Sequence, residues 1–206
     1  MTVSPAFPRL RWAALLWLAV WVPTYAAAWG WTNFLHLCDI AVVLSCLGWW
    51  AGSSLLLSSQ AVSSIVVNLL WCLDVSWRLL FGQHLVGGTE YMWDAQFPLG
   101  ARLLSLFHFF WPWLLVGSLR RVGYDRRGWV VQSAIAVPVL AASRLFPSGL
   151  NINFAHRAPI FGRALGPALL HLAVSLFALL GAIYWPTHWA LARLLPPPTP
   201  EKREVV

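Results

Sequence analysis

Apolar side chains gather into six long runs along the 206 residues, separated by short polar stretches. The runs cover 12–29, 34–50, 55–81, 99–119, 129–145 and 164–185. A helix needs roughly 20 residues to cross hydrocarbon, and the pattern predicts six transmembrane helices. Pro23, Pro112, Pro138 and Pro167 fall inside predicted helices. Proline is tolerable there because neighbours and local adjustments satisfy the freed carbonyl. No internal repeat is visible, and residues 194–206 form a proline-stiffened exit to a charged tail. The expected fold is an all-α polytopic integral membrane bundle, a single domain over residues 1–206. The first run has a rival reading, because Arg9 and Arg11, an apolar core and Ala26-Ala27-Ala28 resemble a signal peptide. Its length and its tryptophans favour a retained helix.

Composition narrows the class. Hydrophobic residues make up 59% of the chain and charged residues 10%, with mean hydropathy +0.67. A soluble domain carries roughly 25% charged residues, so a soluble enzyme, a disordered chain and a secreted disulfide scaffold are all disfavoured. The net charge of +7 and pI near 10.2 raise the question of nucleic acid. The arginines, however, sit at the edges of apolar runs, as topogenic charges do, and no basic stripe with interleaved aromatics exists. Lipid is the expected partner, nucleic acid is not, and the oligomeric state stays unassigned. Cys38 and Cys46 stand about 12 Å apart along one predicted helix, too far to bridge.

Orientation follows from the basic residues in short loops. A cytoplasmic N-terminus puts Arg9, Arg11, Arg120, Arg121, Arg126, Arg127, Arg193, Lys202 and Arg203 inside, against Arg157 and Arg163 outside. Both termini are then cytoplasmic, in the cell (inner) membrane, and the longest loops, 82–98 and 146–163, face outward. Tryptophans at predicted helix ends (Trp29, Trp31, Trp49, Trp50, Trp93, Trp129, Trp185) read as interfacial belts.

Ionisable residues at membrane depth are costly, so each needs a partner or a function. In this topology His36, Asp39, Asp74, Arg78, His108 and His171 all fall in the outer half of the bundle. Asp74 and Arg78 stand i,i+4 and are expected to pair. His36 and Asp39 stand i,i+3, share a face and are expected to form a dyad, structural or functional. Pro112 removes the helical bond to the His108 carbonyl, so a bend is expected beside that imidazole. Cys38 reads either as a small buried hydrophobe or as a nucleophile, and His171 as structural. His36, Asp39, His108 and His171 include donor types that zinc accepts, but no HxxxH or CxxC spacing supports that set. No metal or cofactor is expected. The absence of GxGxxG and GxSxG weakens nucleotide-binding and serine-hydrolase readings.

Three groups of residues carry a resemblance. They are Leu35-His36-Leu37-Cys38-Asp39-Ile40; Glu90-Tyr91-Met92-Trp93-Asp94 with Phe97-Pro98; and Leu106-Phe107-His108-Phe109-Phe110. With Asn151-Ile152-Asn153-Phe154, Pro159 and Leu165-Gly166-Pro167, they stand in the order found in YwaF-like bacterial integral membrane proteins, over about 35–170. The resemblance implies six or seven helices and a distant similarity to eukaryotic transmembrane acyltransferases and lipid hydrolases. It also implies Cys38 as nucleophile and His108 as base.

Two function classes follow. In the first, a membrane-embedded enzyme performs acyl transfer or lipid hydrolysis. Cys38 or a water attacks an ester, His108 is the base, and His36 with Asp39 orients or polarises. In the second, a non-catalytic protein binds lipid or supports a membrane assembly, and the same polar residues fix helix packing. Catalysis needs Cys38 or His108 on a lipid-accessible cavity, whereas packing needs them sealed. The residues leave open whether Cys38 or the His36–Asp39 dyad faces His108, because one straight helix cannot aim both.

Overall fold

The computed structural model describes residues 5–198. Its helices are α1 (Leu10–Trp29), α2 (Leu37–Ala51), α3 (Ser54–Phe81), α4 (Leu99–Leu104), α5 (Phe107–Val122), α6 (Gly128–Ser143), α7 (Ala168–Phe177) and α8 (Trp185–Leu194). A π-helical stretch, Ala178–Tyr184, joins α7 to α8 in one unit, and α4 runs into α5 in another. The result is an all-α bundle of six helical units, with no strand among the described residues. Four units are long and apolar enough to cross a membrane: α1, α3, Leu99–Val122 and Ala168–Leu194. The apolar helices α2 and α6 have 15 and 16 residues. At 1.5 Å per residue each reaches only about 22–24 Å.

Helix α3 is the axis of the bundle. It lies against α2, α5 and α6 and also touches the last unit. Ser53 caps it, its hydroxyl accepting from the Leu56 amide at 3.3 Å. The close α3–α6 approach rests on Gly128, where an added Cβ would stand 2.8 Å from the Ser58 backbone. Polar groups inside the bundle mostly find partners within it, as an apolar medium requires. The hydroxyls of Ser45, Ser64, Ser118 and Ser143 each donate to the carbonyl four residues back. The π-helical stretch brings Tyr184 to Gln132 of α6, whose amide nitrogen donates to Tyr184 (3.1 Å) and to Ser63 of α3 (2.9 Å).

Several boundaries depart from the sequence pattern. The second helix starts at Leu37 rather than 34, because Trp31–Leu35 forms a separate 3-10 turn. The last unit starts at Ala168, with Pro167 as its N-cap, and continues to Leu194. Proline suits a helix start, since its missing N–H has no helical partner there. Residues 186–194 are therefore helical, and Arg193 sits in the last turn. Lys202, Arg203 and the tail beyond 198 lie outside the described residues. Trp49 is not interfacial: it is buried, and its indole donates to Ser118 at 2.8 Å. Trp31, Trp50 and Trp185 are exposed, as a belt requires. The thiols of Cys38, Cys46 and Cys72 are free.

Candidate functional site

The turn that carries His36, Cys38 and Asp39 is set by a residue far away in sequence. Asn153 accepts from the Leu37 amide (2.8 Å) and donates to the Leu35 carbonyl (2.8 Å) and the Ser143 hydroxyl (3.0 Å). The Leu37 amide is the first of α2 and has no helical partner. Asn153 thus ends one turn and caps the next helix with a single amide group. It does so at φ 52°, a left-handed conformation that asparagine tolerates better than most residues. We expect Asn153→Asp to cost about 2–3 kcal/mol, because a carboxylate loses both donations and faces the Leu35 carbonyl. Thermal unfolding of the purified chain would read this, and an unchanged midpoint would remove Asn153 from the account.

With the break at His36, the expected dyad does not form. His36 is extended (φ −62°, ψ 133°) and precedes α2 rather than sharing its face with Asp39. Asp39, 3% exposed, instead accepts from the Asn33 side chain at 2.7 Å, and the Cys38 thiol approaches its other oxygen at 3.8 Å. What joins His36 to Asp39 is backbone: the His36 carbonyl accepts from the amides of Asp39 and Ile40, each at 3.0 Å. Because His36 lies off the helix, the single-helix argument that sets it against Cys38 no longer applies.

His108 stands at a second break. The chain shifts to tighter turns at Ser105–Leu106, between α4 and α5, several residues before Pro112. His108 Nδ1 takes the Ser105 carbonyl at 2.7 Å. A carbonyl can only accept, so Nδ1 carries the proton and Nε2 keeps its lone pair. Nε2 makes no hydrogen bond among the described residues. The ring is 4% exposed and stacks on Trp71 of α3 at 4.4 Å and on Phe107 at 4.0 Å.

Tyr91 ties these pieces together. It sits in the 3-10 turn Glu90–Met92 and accepts from the Trp71 indole at 3.1 Å. Burial pushes the Tyr91 phenol up, so it remains a hydrogen-bond donor at any ordinary pH. Tyr25 of α1 meets the Ser105 hydroxyl at 2.6 Å. Trp29 packs on Tyr91 and Phe97 and helps close this end of the bundle. Sequence reasoning did not single out Tyr25, Asn33, Trp71, Ser105 or Asn153 for the site. The available signal was that Tyr91 and Asn153 lie in the short motifs beside His36 and His108.

Asp74 and Arg78 do not pair. Asp74 is fully buried, and its Oδ1 gathers the amides of Leu85 (2.7 Å), Val86 (2.6 Å) and Gly87 (3.0 Å). Its Oδ2 takes His84 Nδ1 at 2.9 Å and the Thr89 hydroxyl. Five convergent donors outweigh one flexible i,i+4 cation, and Arg78 lies over the Trp93 ring instead, 5.8 Å from its centre. Asp74 is therefore the anchor of the loop that delivers Tyr91. His171 is structural, accepting from the Leu165 amide (3.1 Å) and donating to the Phe154 carbonyl (2.9 Å). Among the described residues, no three His, Cys, Asp or Glu side chains stand close enough to hold a metal ion. His36, Asp39, His108 and His171 form no such group. The arrangement sets the His108 imidazole against Ser105 and Trp71, the Tyr25 and Tyr91 phenols on those two residues, and the Cys38 thiol with the Asp39 carboxyl at the start of α2. Compared with family models, curated proteins and solved structures, the chain finds no match.

Proposed function

We propose that the protein is a membrane-embedded enzyme of acyl transfer or lipid hydrolysis, with His108 as general base. The observation that carries this reading is the bond from His108 Nδ1 to the Ser105 carbonyl, which leaves Nε2 without a hydrogen bond among the described residues, on a ring stacked against Trp71, whose indole donates to Tyr91. The resemblance to YwaF-like proteins supports the same base and implies Cys38 as nucleophile. In the proposed cycle Nε2 takes the Cys38 thiol proton, and the thiolate attacks an ester carbonyl carbon. The ester C–O bond breaks, and the leaving alkoxide takes the proton from the imidazolium. Water or an acceptor hydroxyl then attacks the thioester, giving its proton to Nε2, and the thiolate leaves and is reprotonated. In the variant without a covalent step, His108 activates water directly. Asn33 orients Asp39, and Tyr91 supplies a neutral donor.

The stacking of Trp71 and Phe107 on both sides of His108 favours the second reading, a non-catalytic protein whose polar cluster fixes packing. One experiment separates them. Purified protein is incubated with a phospholipid bearing a labelled acyl chain, and released fatty acid, lysolipid and hydroxylamine-sensitive label on the protein are measured. His108→Gln is expected to lower turnover by about 10²–10⁴-fold, the weight of a general base. Cys38→Ala abolishes the covalent label only if the thiol is the nucleophile. No turnover in the wild-type chain, with His108→Gln merely less stable, would select the packing reading.

We place both termini in the cytoplasm, which puts the cluster in the outer leaflet. Reporter fusions after Arg127 and after Arg203 should read cytoplasmic, and one near Glu90 should read the opposite side. A 120–127 loop found outside would reverse the assignment.

A further inference from the structure

At the end of the bundle where α6 stops and α7 begins, an open cleft of about 370 Å³ is lined by Arg144, Ser148, His156, Arg157, Gly166 and Ala168. No carboxylate lines it. Arg144, the C-cap of α6, spends one N–H on the Ala155 carbonyl at 2.7 Å. Arg157 has only a marginal 3.5 Å contact with the Ser148 carbonyl. A guanidinium has five N–H donors, so most of this donor capacity faces the cleft or solvent.

The loop holds Arg157 by design of its backbone. Asn151, at φ 41°, accepts the amides of His156 (3.0 Å) and Arg157 (2.9 Å) on one side-chain oxygen. Its nitrogen donates to the Arg157 carbonyl at 3.0 Å. Opposite stands the start of α7, where the first helical bond is His171 to the Pro167 carbonyl. The amides of residues 168–170 therefore have no partner within the helix, and no side chain caps them. Gly166, at φ 107°, carries no side chain of its own, and the Leu170 side chain lies where one would stand, 2.9 Å from an added Cβ. The positive end of a helical unit and two cations thus converge on one concavity.

The surroundings say what kind of anion fits. Leu145, Leu150 and Leu169, each next in the chain to a lining residue, are all exposed. Exposed apolar side chains next to arginines match the boundary between headgroups and acyl chains, where hydrocarbon covers the first and phosphate meets the second. Arginine forks suit phosphate oxygens in two-pronged geometry.

We infer that this cleft binds a phosphate group, presented by a membrane lipid whose acyl chains lie on the flanking apolar residues. The site goes beyond the acyl-transfer reading and stands whether or not Cys38 or His108 reacts. It is linked to the cluster through the 151–157 loop, in which Asn151 positions Arg157 and Asn153 caps α2.

The test reads binding, not turnover. The full chain in an uncharged maltoside detergent is titrated at fixed ionic strength with dioctanoyl phosphatidic acid, dioctanoylglycerol and inorganic phosphate, following its thermal midpoint by tryptophan fluorescence. Phosphatidic acid should raise the midpoint, and dioctanoylglycerol at the same concentration should not. Arg157→Gln should weaken the apparent affinity about tenfold or more, the weight of a lost charge-assisted bond. Arg163→Gln, off the cleft, should leave it unchanged. Arg144→Gln should act like Arg157→Gln, and if it does not fold the exposed Arg157 carries the test alone. Equal response to dioctanoylglycerol, or an unchanged affinity in Arg157→Gln, overturns the site. An effect reproduced in full by inorganic phosphate overturns the lipid source.

Discussion

An Asp74→Ala chain is expected to lose about 3–5 kcal/mol of folded stability, because removing a buried carboxylate strands the donors that converge on it. Three backbone amides, the His84 ring and the Thr89 hydroxyl lose their acceptor at once. The loop of residues 82–89 can make this cradle because Gly82, Gly87 and Gly88 sit at φ 77–91°. Asp74→Asn should be milder, since its one carbonyl oxygen can still take the amides of Leu85, Val86 and Gly87. Arg78→Ala should cost about 1–2 kcal/mol, the weight of a half-buried cation over a ring. Denaturation of purified variants would measure all three. Equal losses in Asp74→Ala and Arg78→Ala would restore the pairing that the i,i+4 spacing suggested. The loop also carries the downstream Tyr91, so Asp74→Ala should loosen the cluster around His108 as well.

Gly128→Ala is the second change with a large expected effect, about 2–3 kcal/mol of lost stability. The new Cβ would meet Ser58 backbone carbon at 2.8 Å and the Ser59 nitrogen at 2.9 Å, and backbone atoms cannot rotate away. Separation of α3 from α6 would also strain the bond from the Asp125 amide to the Ser58 hydroxyl, 2.8 Å in the native fold. Gly117→Ala in α5 is the matched control. A Cβ there meets nothing within 4 Å, so the helix gains up to about 1 kcal/mol from the better helix former. Thermal midpoints moving in opposite directions would support the close approach. A neutral Gly128→Ala would refute it.

The helices were legible because an apolar run long enough to span hydrocarbon has few alternatives to helix. Pattern alone placed α1, α3 and α6 to within two residues. The breaks were not legible. Phe34 and Leu35 continue the apolar run, and the break before α2 is bridged by the Asn153 amide, which bonds the Leu35 carbonyl and the Leu37 amide. Likewise, Pro112 drew attention to a bend, yet the chain departs from regular helix at Ser105–Leu106, where the Ser105 carbonyl accepts from both the amide and the ring of His108. Asp74 illustrates the same limit from the other side. Its nearest cation in sequence is Arg78, but its partners come from residues 84–89 after the chain reverses.

For this protein the sequence by itself determined an all-helical bundle of membrane-spanning character and the end of it where polar residues collect. Both follow from hydrophobicity summed along the chain, which is a one-dimensional quantity. Only the tertiary structure decided which polar group meets which: Asp39 with Asn33, Asp74 with a loop, His108 with Ser105 and Trp71, and the α2 start with Asn153. Hydrogen bonds are short-ranged and directional, so their partners are chosen by what folding brings within about 3 Å, not by spacing along the chain.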